Sequence, residues 1–268
     1  MARTRSSLKN VMRLLDSVKS ELPVESEFLA DLKRSIELSA NKNSRKPSQS
    51  YKPSSMNCIR NMYYQKIGSD VDEGTTSYEI VGITQSGSDI HEFIQRSVTD
   101  MHNNGIDCEY VDVAEYVKNR NLDYLTIVAK SGMETKLYHN ILNMSFLCDG
   151  IIRYRGKYYI LEIKTETSYK WRNRSGVDPK HYNQGTAYSV AFGIDSVIFV
   201  YINRDYLDMK SYMFMVTDDM KQELVGKIEE CDSYVNKKTV PPKPEEAGAK
   251  FCQYCGYKSL CDLCGDSN

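Results

Sequence analysis

Cys148-Asp149-Gly150-Ile151-Ile152-Arg153-Tyr154-Arg155-Gly156-Lys157-Tyr158-Tyr159-Ile160-Leu161-Glu162-Ile163-Lys164 reads as a β-hairpin. Two runs rich in Ile, Tyr and Leu flank a short basic-Gly break, the signal for a tight turn between antiparallel strands. Asp149 opens the first strand. In the second, period-two alternation puts Glu162 and Lys164 on one face and Ile163 on the other. An Asp, a Glu and a Lys converging at one end of a hairpin can hold a divalent cation beside a phosphodiester. Carboxylate oxygens suit Mg²⁺ or Mn²⁺, and an ammonium can orient an attacking water or offset charge on the phosphate. Three such residues also occur on solvated surface hairpins, so the hairpin alone leaves both readings open.

The chain around it has 268 residues, long enough to bury a real core as one elaborated domain or a domain with small appendages. Hydrophobic residues make up 41%, and no apolar run approaches the length of a membrane span. No apolar signal-peptide core follows the basic start at Arg3 and Arg5, so a cytoplasmic location is expected. Net charge is −1, which places any nucleic-acid contact on local patches. Eight cysteines in such a chain argue for metal ligation by some of them over a disulfide framework. No GxxxxGK[ST] phosphate loop is present, so no recognisable ATPase accompanies the hairpin.

From the N-terminus, Leu8 to Val18 and then Phe28, Leu29, Leu32, Ile36 and Leu38 are apolar at helical spacing and predict a helical pair. That pair either packs on the main domain or offers a surface to a protein partner or a membrane. Residues 41–54 read as a polar, Pro- and Ser-containing linker. Serines before Met56 to Gln65 suggest a helix cap, with Cys58 in the first turns as a ligand or simply a small buried hydrophobe. A helix is expected to start at Ser86, placing His91 in its early turns. Val111 to Val117 fits strand or helix. The loop Lys170-Trp171-Arg172-Asn173-Arg174 interleaves cations with the only Trp, a mix that suits stacking on bases but equally a loop covering the core edge. Asp178-Pro179 starts a helix that runs to Phe192 before Gly193, with Gln184 and Tyr188 on one face. Ser196 to Tyr201 is a buried strand, and further strand and helix patterns follow. A Pro-rich spacer at 241–244 then leads to Cys252-x-x-Cys255-x5-Cys261-x-x-Cys264.

In order, these pieces resemble the RecB-type exonucleases of the PD-(D/E)XK nuclease superfamily, especially CRISPR-associated and phage exonucleases carrying an iron–sulfur cluster. The resemblance covers roughly residues 51 to 261. Cys58 matches the first cluster ligand, Gly87-x-x-x-His91 the motif whose His joins the metal shell, and Asp149 with Glu162-x-Lys164 the catalytic acids and lysine. Gln184-x-x-x-Tyr188 matches the QxxxY motif, and Cys252, Cys255 and Cys261 the terminal cluster ligands. Cys148 stands where the family often has Pro. Cys264 is surplus and permits a rival four-cysteine Zn²⁺ site, although a five-residue spacer is short for a zinc ribbon and leaves Cys58 without a role.

The resemblance implies an α/β fold with a restriction-endonuclease-like mixed sheet flanked by helices, an N-terminal helical segment and a cysteine-rich tail. The expected division is 1–50, a nuclease core at 51–240, and a tail at 241–268. It implies a metal-dependent DNA exonuclease with Mg²⁺ or Mn²⁺ on His91, Asp149, Glu162 and the Ile163 carbonyl. Lys164, Gln184 and Tyr188 would complete the catalytic group, and a 4Fe-4S cluster would sit on Cys58, Cys252, Cys255 and Cys261. DNA is the expected partner, guided by Lys170, Trp171, Arg172 and Arg174. The competing reading is a non-catalytic DNA-binding or adaptor protein on the same scaffold with a zinc-stabilised tail.

Overall fold

The computed structural model describes residues 23–42, 49–72, 77–243, 252 and 255–263. The first expected helix, the middle of the 41–54 linker and Cys264 lie outside them. The chain divides into two compact units, one of Met1–Ser44 with Thr75–Gly82 and the other of Arg45–Gly74 with Ile83–Asn268.

In the first unit, helix α1 (Val24–Lys42) opens with Glu25 and Glu27, which suit the positive end of its dipole. Its Glu37 accepts a hydrogen bond from the Tyr78 amide at 3.1 Å, and Lys33 lies 4.5 Å from the Tyr78 ring centroid. The apolar residues predicted to line one stripe, Phe28, Leu29, Leu32 and Leu38, are exposed.

The second unit begins with a 3-10 turn at Pro53–Ser55 and helix α2 (Ile59–Lys66). The serines therefore do not cap α2. Pro53 draws them into the turn, and Cys58 is the N-cap residue, with no side-chain cap bond. Helix α3 (Tyr78–Asn103) starts eight residues before the expected Ser86 and carries Ser86-Gly87-Ser88 through its middle. Apolar residues at helical spacing on both sides outweigh the weak helix propensity of these three. The ambiguous 111–117 stretch is strand β1 (Cys108–Val111) followed by helix α4 (Val113–Asn119). Asp112 is the switch: its side chain accepts from the Ala114 and Glu115 amides and caps α4.

Strands β2 (Leu125–Ser131), β3 (Glu134–His139) and β4 (Met144–Cys148) form an antiparallel three-stranded sheet. Strands β5 (Gly150–Tyr154) and β6 (Lys157–Glu166) are the two arms of the hairpin. At its turn, Arg155 and Gly156 both have positive φ (49° and 77°), as a two-residue turn matched to strand twist requires. After the short helix α5 (Ser168–Arg172) and a 3-10 turn at Pro179–His181, helix α6 (Tyr182–Phe192) crosses over to β7 (Ser196–Asn203), which pairs parallel to β6. The edge strand β8 (Met209–Met215) pairs antiparallel to β7, and helices α7 (Asp218–Lys237) and α8 (Lys258–Leu263) follow. The larger sheet runs β1-β5-β6-β7-β8 and is mixed, so the α/β class expected from the sequence is the one present.

Strand β6 is buried on both sides, which explains its near-continuous apolar run. Ile160 belongs to the main core cluster, which also holds Ala187, Tyr188 and Phe192 of α6 and Leu224 and Ile228 of α7. Leu161 and Ile163 belong to a second cluster with Ile94 of α3. Each such Ile or Leu contributes roughly 1.5–3 kcal/mol by leaving water. The same alternation turns Glu162 toward the α6 side, where its carboxylate is 2% exposed.

Candidate active site

Asp149 is the one residue between β4 and β5, where the chain leaves the three-stranded sheet and enters the larger one. It therefore belongs to neither ladder, and its backbone carbonyl is free to be used from outside. Gln95 of α3 and the Tyr110 hydroxyl both donate to that carbonyl at 2.6 Å. Gly150 is required beside it, because a Cβ there would stand 2.7 Å from the Tyr110 ring. The Asp149 carboxylate accepts from the Ile163 amide at 2.6 Å through Oδ2, while Oδ1 lies 3.2 Å from His91 Nδ1. Ile163 thus meets Asp149 through its N–H.

On the α6 side of β6, Lys164 Nζ donates to Glu162 Oε1 at 2.5 Å and to Gln184 Oε1 at 3.0 Å. Gln184 Nε2 donates to Glu162 Oε1 at 2.6 Å and to the Tyr188 hydroxyl at 2.8 Å. Tyr188 in turn donates to the Leu147 carbonyl at 2.7 Å. Every polar atom of the Gln184 amide is used, which fixes its orientation. Lys164 keeps one of its three hydrogens unassigned by these bonds. Glu162 Oε2 is buried and has no hydrogen-bond partner among the described residues.

An unpartnered carboxylate oxygen at such depth raises the cost of ionisation. Burial, and then the charge of Asp149, push the Glu162 carboxyl up to about 7. Burial alone would lower His91, but the contact with Asp149 outweighs it and the net shift is upward. Burial, followed by the charge of Glu162, holds the Tyr188 hydroxyl well above its ordinary range, so it stays a donor.

The sequence motifs omit one group that the fold brings in. Glu134 begins β3, and the pairing of Thr135 with Cys148 sets it beside Asp149. One ligand atom each from His91, Glu134 and Asp149 lies within 4.8 Å of the others, the spacing a single cation needs. Burial and then the charge of Asp149 raise the Glu134 carboxyl. Only the strand pairing reveals it, since Gly132-Met133-Glu134 carries no spacing signal of its own.

The remaining candidates fall into two places. Arg174 is 9% exposed at its side chain and forms a buried ion pair with Glu166, with Asp178 at 3.3 Å. Trp171 donates to the Tyr201 carbonyl at 3.3 Å, and Lys210 lies 4.3 Å from its ring centroid. Lys170 and Arg172 are exposed on α5. In the tail, Asn61 donates to Cys255 Sγ at 3.4 Å, and Arg60 donates to Cys261 Sγ at 3.3 Å and to the Pro241 carbonyl at 2.7 Å. The tail is therefore docked on α2, whose N-cap is Cys58. Burial, together with nearby Cys255 and Cys261, raises the Cys58 thiol. Among the described residues, these cysteines form no group of three within the 4.8 Å spacing of the His91 cluster. A groove of about 1420 Å³ carries Lys164 and Gln184 in its lining together with Cys58, Cys252 and Cys255. None of the described helices is long and apolar enough to cross a membrane.

No protein-family model matches the chain, and no curated protein matches it. Among solved structures, it is similar to the protein SSO0001, with 18% identity and a TM-score of 0.46, over 90% of this chain and 97% of that one. It is also similar to the alkaline exonuclease LHK-Exo from Laribacter hongkongensis, with 11% identity and a TM-score of 0.42, over 72% of this chain and 90% of that one. The complex of that exonuclease with dAMP gives 11% identity and a TM-score of 0.41 over the same shares.

Proposed function

We propose that this chain is a divalent-cation-dependent deoxyribonuclease that hydrolyses phosphodiester bonds at exposed DNA ends. The observation that carries the reading is the His91–Glu134–Asp149 cluster at single-cation spacing; Glu162, outside that spacing but close enough to feel the charges of Asp149 and His91, adds a buried Oε2 without a partner. Carboxylates and one imidazole make a donor set that fits Mg²⁺ or Mn²⁺. Asp149, Glu162, His91 and Glu134 would hold the ion, and when bound it supplies Lewis acidity at the scissile phosphate and lowers the pKa of a water. The protein's own groups do the rest. Lys164 aims its remaining N–H at the water or the phosphate and offsets developing negative charge. Glu162 and Gln184 hold that ammonium, and Tyr188 holds Gln184 through the Leu147 carbonyl. Attack at strand ends, as opposed to internal sites, rests on the sequence resemblance.

We assign Cys58, Cys252, Cys255 and Cys261 to an iron–sulfur cluster joining α2 to the tail. The assignment rests on the sequence resemblance and on the docking of Cys255 and Cys261 against α2 through Asn61 and Arg60.

The test is cleavage of end-labelled linear DNA with Mn²⁺ or Mg²⁺, abolished by chelation and restored by the ion, using protein prepared anaerobically. Absorbance near 400 nm that disappears in Cys58→Ala supports the cluster, whereas a colourless protein with stoichiometric zinc removes it. DNA binding without any metal-dependent cleavage of single- or double-stranded ends returns the chain to a non-catalytic scaffold.

The same site has a stability signature. In chelated protein, Glu162 binds its proton more tightly folded than unfolded, about 7 against its ordinary 4.5. The stability this contributes is fully present below pH 4.5 and is lost as pH rises through 7. The urea midpoint of the chelated protein should therefore fall over that window, and the Glu162→Gln variant should flatten the fall. Mn²⁺, which requires ionised carboxylates, should raise the midpoint more at pH 8 than at pH 5.5. Equal stabilisation at both values would remove Glu162 from the cation site.

A further inference from the structure

Beside Lys164 lies a second, smaller pocket of about 170 Å³. We propose that this pocket, lined by Lys164, Thr165, Thr167, Lys170, Lys180 and Arg204, is a phosphoryl subsite that seats a phosphate of the bound strand next to the one being cleaved. The inference rests on the nuclease reading for the identity of the strand, but its own evidence is separate.

Size is the first argument. Sites for small organic ligands run from about 300 Å³ upward, and a water takes up about 30 Å³. A pocket of this volume, well below that range, is the right size for a phosphoryl group with a few waters. Charge is the second argument. Four of the lining side chains are cationic, and the one carboxylate, Glu166, is already held by Arg174. Lys164 is held by Glu162 and Lys180 pairs loosely with Asp178 at 3.6 Å, while Lys170 and Arg204 make no ion pair among the described residues. Lys170 and Arg204 thus leave an excess of positive charge at the pocket that an anion can offset. The two threonines add hydroxyl donors, which suits phosphate oxygens.

His181 also lines the pocket. Burial, and then the charges of Lys164 and Lys180, push it down to about 3. The ring is therefore neutral, stacked on Phe199 and Tyr201 with Nδ1 2.9 Å from the Tyr201 hydroxyl. Connection is the third argument. Lys164, Lys170, Lys180 and His181 line both this pocket and the large groove, so a strand lying in the groove can place one phosphate inside. Two sources share this chemistry: a terminal phosphomonoester, or the internal phosphodiester adjacent to the scissile one.

The test measures binding without catalysis. Fluorescence anisotropy of a labelled single-stranded oligonucleotide is followed in EDTA across a salt series for wild type, Arg204→Gln and Lys180→Ala. Oligonucleotides carry a 5′-phosphate, a 3′-phosphate or hydroxyl ends. Each substitution should weaken binding at least about tenfold. It should also reduce the slope of log affinity against log salt by about 0.7, the mark of one lost phosphate contact that a folding defect would not leave. A loss confined to one phosphorylated end assigns the terminal source, and an equal loss on all three assigns the internal one. Unchanged affinity and slope in both variants overturn the subsite even if cleavage proceeds, and so does a wild type that binds none of the probes. A wild type that binds as described yet never cleaves overturns the nuclease reading alone.

Discussion

Lys164→Ala should lower kcat on linear DNA by about two to three orders of magnitude while KM changes only a few-fold, the size expected for removing one preorganised donor at a developing charge. Its ammonium is already fixed on Glu162 Oε1 and Gln184 Oε1, so the remaining N–H points without reorganisation. Alanine removes that donor and also leaves Glu162 without its compensating cation, so the carboxyl holds its proton still more tightly. Higher Mn²⁺ should therefore recover only part of the loss. Lys164→Arg is not expected to rescue, because a planar fork cannot reproduce the two short contacts of a tetrahedral ammonium. The urea midpoint serves as the folding control. If Lys164→Ala retains more than about a tenth of wild-type kcat with the fold intact, Lys164 is a structural partner of Glu162 and the catalytic assignment falls.

How much of this could be read in advance depended on whether a feature is local. The hairpin was legible because alternation and the Arg155-Gly156 turn act over a few residues, and both strands form where those signals put them. The Gln184–Tyr188 face was legible for the same reason, since the two residues are one helical turn apart and are hydrogen-bonded to each other. Glu134 was not, because its nearness to Asp149 is a product of the β3–β4 register fifteen residues away. The start of α3 was obscured by Ser86-Gly87-Ser88, which look like a helix boundary in isolation. A Cβ at Gly87 would make only an ordinary contact, 3.5 Å from the Thr165 hydroxyl, so packing does not demand glycine there and the helix runs through it. The stretch from Lys170 to Arg174, expected as a loop but begun by the end of helix α5, shows the limit of pattern reading. Interleaved aromatic and basic residues describe a strand-binding loop and an internal clamp equally well, and only the partners of each side chain separate the two.

Those partners make Arg174→Ala the second large effect, expected to destabilise the fold by about 3–5 kcal/mol, the cost of leaving a buried charge without its counter-ion. Glu166 is 5% exposed at its side chain, and Arg174 reaches it through both Nε and Nη2. The guanidinium also lies 4.0 Å from the Tyr201 ring centroid, contacts Asp178 at 3.3 Å and donates to the Gly176 carbonyl at 3.0 Å. Asp178 caps the 3-10 turn that carries Lys180 and His181 into α6. Loosening it should displace that turn and Gln184 beyond it, so activity should fall along with stability. Glu166→Leu in the Arg174→Met background should recover most of the loss, because an apolar pair replaces the ions without leaving either alone. Urea unfolding with an unchanged m-value would read the effect directly. The opposite outcome is equally informative. If Arg174→Ala stays within about 0.5 kcal/mol of wild type and instead weakens DNA binding with a shallower salt slope, then Arg174 leaves Glu166 to meet the phosphate backbone, and the clamp is not its main role.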